Sequence, residues 1–252
     1  MKIPTGNRDL DEWLDGGYES DIITTLYGPA GSGKTNLCML AAVEQAKKGK
    51  KVIFVDTEGG FSVDRLKQIT SEDTLNNILL LKATTFFEQR EIFNKLLDEI
   101  KKNVSLIIVD SMVMLYRLEL GIARKEEQDG KERKVELINM SMARQLRILN
   151  EIARKKDIPI MLTDQVYSDF LSNEKIQELK QQNIDINEEK EKNVKMVGGD
   201  LLKYWSKCII ELKRDGSKRK AIIRKHRSMP EKEFSFIITE KGIAKSGFRL
   251  FS

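Results

Sequence analysis

The chain has 252 residues, enough for one large α/β domain or for two small ones. Hydrophobic residues make up 40% of the sequence and charged residues 33%, a balance typical of a globular protein with an apolar core. No apolar run reaches the length of a membrane span, and the first residues lack the apolar segment of a signal peptide. The sequence therefore predicts neither a membrane span nor a membrane partner.

The formal net charge of +5 is compatible with nucleic-acid binding but does not require it. The two cysteines, Cys38 and Cys208, lie in apolar stretches, and neither has a metal-ligand neighbour at short spacing. We therefore expect two buried thiols in a reducing compartment, which favours a cytoplasmic protein.

The first predicted elements surround a glycine-rich loop. Leu10, Trp13 and Leu14 share one helical face, which ends at a pair of glycines. A β-branched strand is predicted over 22–27, and a helix follows the loop and ends near Gly49. The loop itself matches the G-x-x-x-x-G-K-T pattern of a phosphate-binding P-loop.

In this pattern, glycines let consecutive N–H groups point at phosphate oxygens, the lysine contacts the β- and γ-phosphates, and the threonine hydroxyl can ligate Mg²⁺. A glycine-rich turn without a ligand is the alternative, but it does not explain so complete a match. The predicted nucleotide-binding residues are Gly28, Pro29, Ala30, Gly31, Ser32, Gly33, Lys34, Thr35 and the next residue, Asn36.

Three further buried strands are predicted before the middle of the chain. The first, 51–56, leads into a turn that contains Glu58, and the second spans 78–81. An amphipathic helix is expected between 86 and 101. The third strand, 106–111, ends in Asp110, which is the pattern of a Walker B strand whose acid holds Mg²⁺ through its water shell.

The second half of the chain is predicted to begin with a charged loop at 117–134, called loop 1. A long helix then runs to about residue 156, and a strand at 158–163 ends beside Gln165. Strands that alternate with helices predict a mostly parallel sheet covered on both faces. Thr57, Glu58, Asp110 and Gln165 all follow strands at the carboxyl edge, where such sheets bind ligands.

A long polar insertion, loop 2, is expected at about 166–198, with a short helix at 174–179. After Gly199 the pattern becomes alternating, with strands at 208–212 and 220–224 joined by an Asp-Gly turn. A last strand is predicted at 234–238.

Taken together, these motifs resemble the RecA/RadA recombinase superfamily, most closely an archaeal branch of paralogues. The resemblance runs over nearly the whole chain, through the stretches Phe54–Gly59, Asp110-Ser111 with Leu115-Tyr116-Arg117, Thr163–Val166 and Gly198-Gly199. Asp164 stands where the family usually has Asn. The resemblance implies one RecA-like P-loop ATPase core over 1–252, with a mostly parallel central sheet flanked by helices and a C-terminal antiparallel β-hairpin extension. It implies ATP and Mg²⁺ as cofactors, and we expect no separate N-terminal DNA-binding domain.

The resemblance also implies roles for single residues. Glu58 would be the general base, Gln165 would sense the γ-phosphate, and Arg65 would stack on adenine. Lys225 and Arg227 resemble a Lys-x-Arg pair that such ATPases insert into a neighbour's site. Other interpretations stay open. In these, Glu58 is a solvated turn acid, Gln165 caps a strand end and Arg65 is an exposed helix arginine. Lys225 and Arg227 would then form an ordinary solvated strand face.

The distribution of charge favours particular DNA contacts. Loop 2 has more acidic than basic residues between 168 and 198, which repels phosphate. We therefore expect DNA to contact loop 1 and the hairpin. The candidate residues are Arg117, Arg124, Lys218, Arg219 and Lys220.

The resemblance implies an accessory or regulatory ATPase of homologous recombination and DNA repair that binds DNA and hydrolyses ATP slowly, with little stimulation by DNA. It implies DNA, a RadA-type recombinase and the Holliday-junction resolvase Hjc as partners, and a homo-oligomer if the Lys-x-Arg pair acts in trans. Two alternatives stay open: a DNA-dependent strand-exchange ATPase, and a KaiC-like nucleotide switch without a DNA role.

Overall fold

The computed structural model of the chain describes residues 1–100, 103–125, 131–168, 194–196 and 199–246. In chain order its strands are β1 Lys2–Ile3, β2 Tyr18–Glu19, β3 Ile23–Gly28, β4 Lys51–Asp56, β5 Ile78–Lys82, β6 Val104–Asp110, β7 Ile160–Ser168, β8 Val194–Met196, β9 Ser206–Asp215, β10 Lys218–Lys225, β11 Glu233–Thr239 and β12 Gly242–Lys245. Its helices are α1 Arg8–Trp13, α2 Lys34–Lys47, α3 Val63–Ile69, α4 Glu72–Leu75, α5 Phe86–Glu99, α6 Met114–Lys125, α7 Lys131–Lys156 and α8 Gly199–Trp205.

One large sheet organises the chain, with the strand order β12-β11-β10-β9-β3-β7-β6-β4-β5. The strands from β9 to β5 are parallel to one another. The strands from β9 to β12 pair antiparallel, and β8 pairs antiparallel with β7. The predicted α/β fold, with its parallel centre and antiparallel C-terminal extension, is confirmed.

Helices cover both faces of this sheet, and the central strands are therefore apolar at successive positions. On β6, Ile107 and Val109 pack in a cluster that includes residues of α5, α6 and α7. Leu106 and Ile108 point to the other face and join a cluster with residues of α1 and α2. No helix in the described part of the chain is long and apolar enough to cross a membrane.

Strand β5 differs from the predicted buried strand because it lies at the edge of the sheet and pairs only with β4. In the described part of the chain, no strand pairs with the side of β5 away from β4, and Leu79 is 53% exposed. The predicted strand is correct, and its predicted burial is wrong.

The prediction of a loop at 117–134 is also wrong for the residues in this range that the structure describes. Helix α6 covers 117–125, and helix α7 begins at Lys131. Leu115, Leu120 and Ala123 form a buried stripe on α6, so tertiary packing stabilises a helix that the charged residues and Gly121 did not indicate. A Cβ at Gly121 would meet no atom within 4 Å, so packing does not require glycine there, and glycine costs about 1 kcal/mol relative to alanine.

The C-terminal third contains two elements that the pattern did not predict, helix α8 before β9 and strand β12 after β11. The hairpin turn is at residues 216–217, one residue beyond the predicted position. In predicted loop 2, residues 166–168 continue β7 and 194–196 form β8. The predicted helix at 174–179 lies outside the described residues.

Arg65 on α3 connects this helix to the last two strands. Its Nη2 donates to the carbonyls of Thr239 and Gly242 at 2.7 and 3.3 Å, and its Nη1 donates to the carbonyl of Glu240 at 2.8 Å. Its Nε donates to Asn36 Oδ1 at 3.0 Å, and Nη1 also reaches Gln68 Oε1 at 2.7 Å. All five N–H groups of the guanidinium can thus be assigned to protein acceptors.

We expect Arg65→Ala to lower the free energy of unfolding by about 1–2 kcal/mol, because it leaves backbone carbonyls without their charged donor. Urea unfolding followed by circular dichroism measures this change. Lys67→Ala on the same helix is the control, since Lys67 forms an exposed ion pair with Glu72, and its midpoint is expected to match that of the unsubstituted protein. Equal midpoints for the two variants would contradict the stabilising role of Arg65.

Candidate nucleotide-binding and hydrolysis site

The phosphate loop lies between the end of β3 and the start of α2, at the carboxyl edge of the sheet. Gly33 caps the helix in the left-handed region at φ 101°, and Gly31 lies at φ 72° at the outer bend of the loop. Lys34 is 7% exposed, and its Nζ donates to the carbonyls of Gly28 and Pro29 at 2.9 and 3.0 Å. Burial lowers the pKa of Lys34, and the charges of Glu58 and Asp110 oppose this shift.

The C-terminal strands pack directly against this loop. A Cβ at Gly28 would lie 2.2 Å from the carbonyl oxygen of Leu212 on β9. A Cβ at Gly31 would lie 2.8 Å from Nη1 of Arg214. At Gly28 the close approach of the β9 backbone therefore requires glycine, whereas at Gly31 the neighbour is the end of a flexible side chain and the positive φ favours glycine.

Asp110 ends β6 and reaches the first turn of α2. Its Oδ2 accepts a hydrogen bond from the Thr35 hydroxyl at 2.7 Å, and its Oδ1 accepts one from the Thr163 hydroxyl. Asp110 is 2% exposed, and burial raises the pKa of its carboxyl, while the two hydroxyl donors oppose the shift.

The Thr35 hydroxyl and the Asp110 carboxylate offer oxygen ligands that fit a magnesium ion also bound to phosphate. Mg²⁺ prefers oxygen ligands and is usually held by one or two protein groups together with substrate phosphates and water. Among the described residues, no group of three or more His, Cys, Asp and Glu side chains could hold a metal without other ligands. A site of this composition is therefore suited to a metal that arrives with a nucleotide.

A second buried acid, Asp56, shapes the turn that contains Glu58. Its Oδ1 accepts from the backbone N–H groups of Glu58, Gly59 and Gly60 at 3.2, 2.8 and 3.1 Å, and its Oδ2 accepts from that of Phe61 at 3.2 Å. The sequence motifs did not indicate a role for Asp56. An Asp at a strand end before a Gly-Gly turn was the available signal, because Asp side chains commonly bond the backbone that follows them.

Glu58 and Gln165 meet across the edge of the sheet, although β4 and β7 are separated by β6. The Nε2 of Gln165 donates to Oε2 of Glu58 at 2.9 Å. A cavity of about 570 Å³ opens beside Glu58, and its lining includes Lys82, Met114 and Leu118. Glu58 is exposed, so its carboxylate is accessible from solvent.

Lys225 and Arg227 lie far from the phosphate loop of their own chain. Lys225 pairs with Ile209 near the start of β9, and its Nζ donates to the carbonyl of Lys203 at 2.6 Å. Arg227 binds both carboxylate oxygens of Asp21 at 2.7 and 2.9 Å and contacts Glu19 at 2.9 Å. Both positions are at the amino edge of β3, opposite the P-loop.

The candidate DNA-binding residues form two separate groups. Arg117 and Arg124 are on α6, and Arg124 is exposed. The hairpin group lies on the other side of β3. There Arg219 Nε donates to the carbonyl of Gly31 at 3.1 Å, and Lys220 pairs with Glu233 at 2.8 Å.

Comparison with known proteins agrees with this arrangement. The Rad51 family profile matches residues 1–246. The chain is 41% identical over 251 residues to the DNA repair and recombination protein RadB of Methanobrevibacter smithii, covering 96% of this chain and 95% of that protein. It is 39% identical to RadB of Methanococcoides burtonii, covering 94% of each chain, and 36% identical to RadB of Methanocaldococcus jannaschii, covering 93% and 98%.

A solved structure, described as the crystal structure of the RadB recombinase, superposes with a TM-score of 0.71 at 31% sequence identity. The match covers 97% of this chain and 100% of the solved one. Both the sequence and the architecture thus match along nearly the full length. The chain belongs to the Rad51 family of recombinases and, within it, to the archaeal RadB group.

Proposed function

We propose that the chain is a Mg²⁺-dependent ATPase that acts in DNA repair and homologous recombination as an accessory or regulator of the main recombinase. The names of its relatives support the role in repair and recombination. One observation carries the ATPase proposal: the Gln165–Glu58 hydrogen bond lies at the carboxyl edge that also holds the P-loop and the Thr35–Asp110 pair.

ATP binding would use the loop residues from Gly28 to Asn36. Lys34 now donates to two loop carbonyls, and phosphate oxygens are stronger acceptors for a charged amine. Thr35 and Asp110 would hold Mg²⁺, which neutralises charge on the β- and γ-phosphates during transfer. Arg65 would contact adenine with its planar face, since its N–H groups bond in the plane of the guanidinium.

Hydrolysis would use Glu58 as the general base for the attacking water, and Gln165 would report the γ-phosphate to the segment that follows β7. We propose that turnover is slow. Glu58 is exposed, and electrostatic stabilisation is weaker in a site that solvent reaches. The acidic composition of 168–198 supports little stimulation by DNA.

The proposed partners are DNA, a RadA-type recombinase and the resolvase Hjc, in the cytoplasm. The two cysteines are free and buried, which is consistent with a reducing compartment. DNA would contact Arg117 and Arg124 on α6 and Lys218 and Lys220 on the hairpin.

The decisive experiment measures ATP turnover with and without single-stranded DNA. We expect slow turnover that DNA changes little. Lys34→Ala, which removes the phosphate-binding amine, should abolish it and also gives the contaminant background. Glu58→Gln should retain ATP binding and lower turnover by about 100-fold, because it removes the proton acceptor without changing the shape of the side chain.

Several results would contradict this proposal. Turnover unchanged in Glu58→Gln would remove the general-base role. A large rise in turnover with DNA would instead favour a strand-exchange ATPase. DNA binding absent even at low salt would favour a nucleotide switch without a DNA role.

The proposed contact between Arg124 on α6 and DNA predicts that substitution of this arginine weakens DNA binding and makes it less dependent on salt. We expect Arg124→Ala to weaken binding and to reduce the slope of log affinity against log salt by about 0.7 for single strands, the effect of one phosphate contact. Fluorescence anisotropy over a salt series measures this slope. Arg8→Ala removes an exposed cation on α1, on the opposite face of the sheet, and should leave the slope unchanged. Identical slopes for both variants would exclude Arg124 as a contact.

The proposed trans role of Lys225 predicts complementation between copies of the chain. Lys225→Ala should lower turnover by about tenfold or more without weakening ATP binding, because the amine would stabilise charge only during transfer. Adding Lys34→Ala protein, which keeps Lys225, should restore part of that turnover. Lys207→Ala, which removes a nearby cation from β9, is the control. Unchanged turnover in Lys225→Ala would contradict the role.

A further inference from the structure

The β9–β10 hairpin donates a hydrogen bond to the phosphate loop through Arg219. Arg219 Nε donates to the carbonyl of Gly31 at 3.1 Å. Its Nη1 donates to the carbonyls of Gly216 and Lys218 at 3.0 and 3.3 Å, both in the hairpin tip. The guanidinium therefore connects the outer bend of the phosphate loop to the turn between β9 and β10.

Arg214 is the direct partner of Arg219 across the two strands, which puts two like charges side by side. Its Nη1 lies 2.8 Å from the position that a Cβ on Gly31 would take. Opposed like charges in a sheet are destabilising. Burial lowers the pKa of Arg219, and the charge of Arg214 lowers it further.

Two other cations on β10 have acidic partners. Lys220 pairs with Glu233, and Arg224 pairs with Glu211 and Glu231. Among the residues that the structure describes, no carboxylate forms an ion pair with Arg214 or Arg219. The placement of two adjacent cations against the phosphate loop becomes favourable when a negatively charged ligand binds in that loop.

The hydrogen bond from Arg219 reaches the phosphate loop at Gly31, within a tight turn. Gly31 is the left-handed residue of a tight turn in which Ser32 N–H bonds to the carbonyl of Pro29 at 3.2 Å. A donor on the Gly31 carbonyl fixes the orientation of this peptide plane. A loop held in its binding conformation before the ligand arrives binds more tightly, because less ordering remains to be done.

We propose that Arg219 is a positioning residue of the nucleotide site, which sets the affinity for the phosphates that ATP and ADP share by fixing Gly31. This inference rests on the proposed binding of ATP. It assigns Arg219 to the phosphate loop instead of to DNA, because Arg219 already donates to the loop and to the hairpin turn.

The test compares Arg219→Gln with Arg8→Gln, which makes the same substitution at an exposed arginine on α1. Titration calorimetry with Mg-ATP and with Mg-ADP gives the dissociation constants. We expect Arg219→Gln to weaken both nucleotides by about tenfold, the size expected for one hydrogen bond from a charged donor. Arg8→Gln should leave both constants unchanged. Arg219→Lys, which keeps the charge but lacks the Nε donor, should also weaken both nucleotides, by less.

Equal affinities for Arg219→Gln and the unsubstituted protein would overturn the inference. A loss for ATP alone would also overturn it, since that result indicates direct contact with the γ-phosphate. The thermal unfolding midpoint without nucleotide shows whether a variant is folded, and if Arg219→Gln is not, Arg219→Lys decides. A folded, unsubstituted protein that binds neither nucleotide would overturn the proposed function itself, and this inference with it.

Discussion

The close approach of two backbones at Gly28 is the constraint on which the rest of the site depends. Strand β3 lies between β7 and β9, and its last residue passes so near the Leu212 carbonyl that any side chain would clash. This contact fixes where the phosphate loop begins. Because β9 continues into the hairpin, it also brings the C-terminal strands against the loop. The antiparallel extension is therefore part of the nucleotide site as well as an addition to the sheet.

Two buried acids serve this site in different ways. The carboxylate oxygens of Asp56 accept hydrogen bonds from four backbone N–H groups and so hold the turn that contains Glu58. The Asp110 carboxylate accepts from two hydroxyls, those of Thr35 and Thr163, and burial raises its pKa, so a nearby positive ion would stabilise its charged form. The difference follows from local sequence. A Gly-Gly turn follows Asp56 and presents free amides, whereas Ser111 after Asp110 bonds to the Thr57 hydroxyl.

The sequence predicted the parts of the fold that depend on local pattern. The P-loop, the strands that lead to Glu58 and Asp110, and the C-terminal hairpin follow from apolar runs and turn residues. Burial of β5 could not be predicted, because a run of leucines does not report how many strands flank it. Helix α6 was missed because its stability comes from a buried stripe that includes Leu120 and Ala123, while its surface is charged. The contact between Arg219 and Gly31 joins residues 188 positions apart and depends on the strand order.

Arg219 and Lys225 lie near opposite ends of strand β10 and are therefore far apart. From Lys218 to Lys225 it extends about 24 Å, at about 3.4 Å per residue. Arg219 at one end contacts the loop of its own chain, whereas Lys225 at the other end is beyond the reach of any side chain to that loop. A nucleotide contact by Lys225 therefore requires a second copy of the chain. If both proposals hold, one strand links a chain's own phosphate loop to its neighbour's.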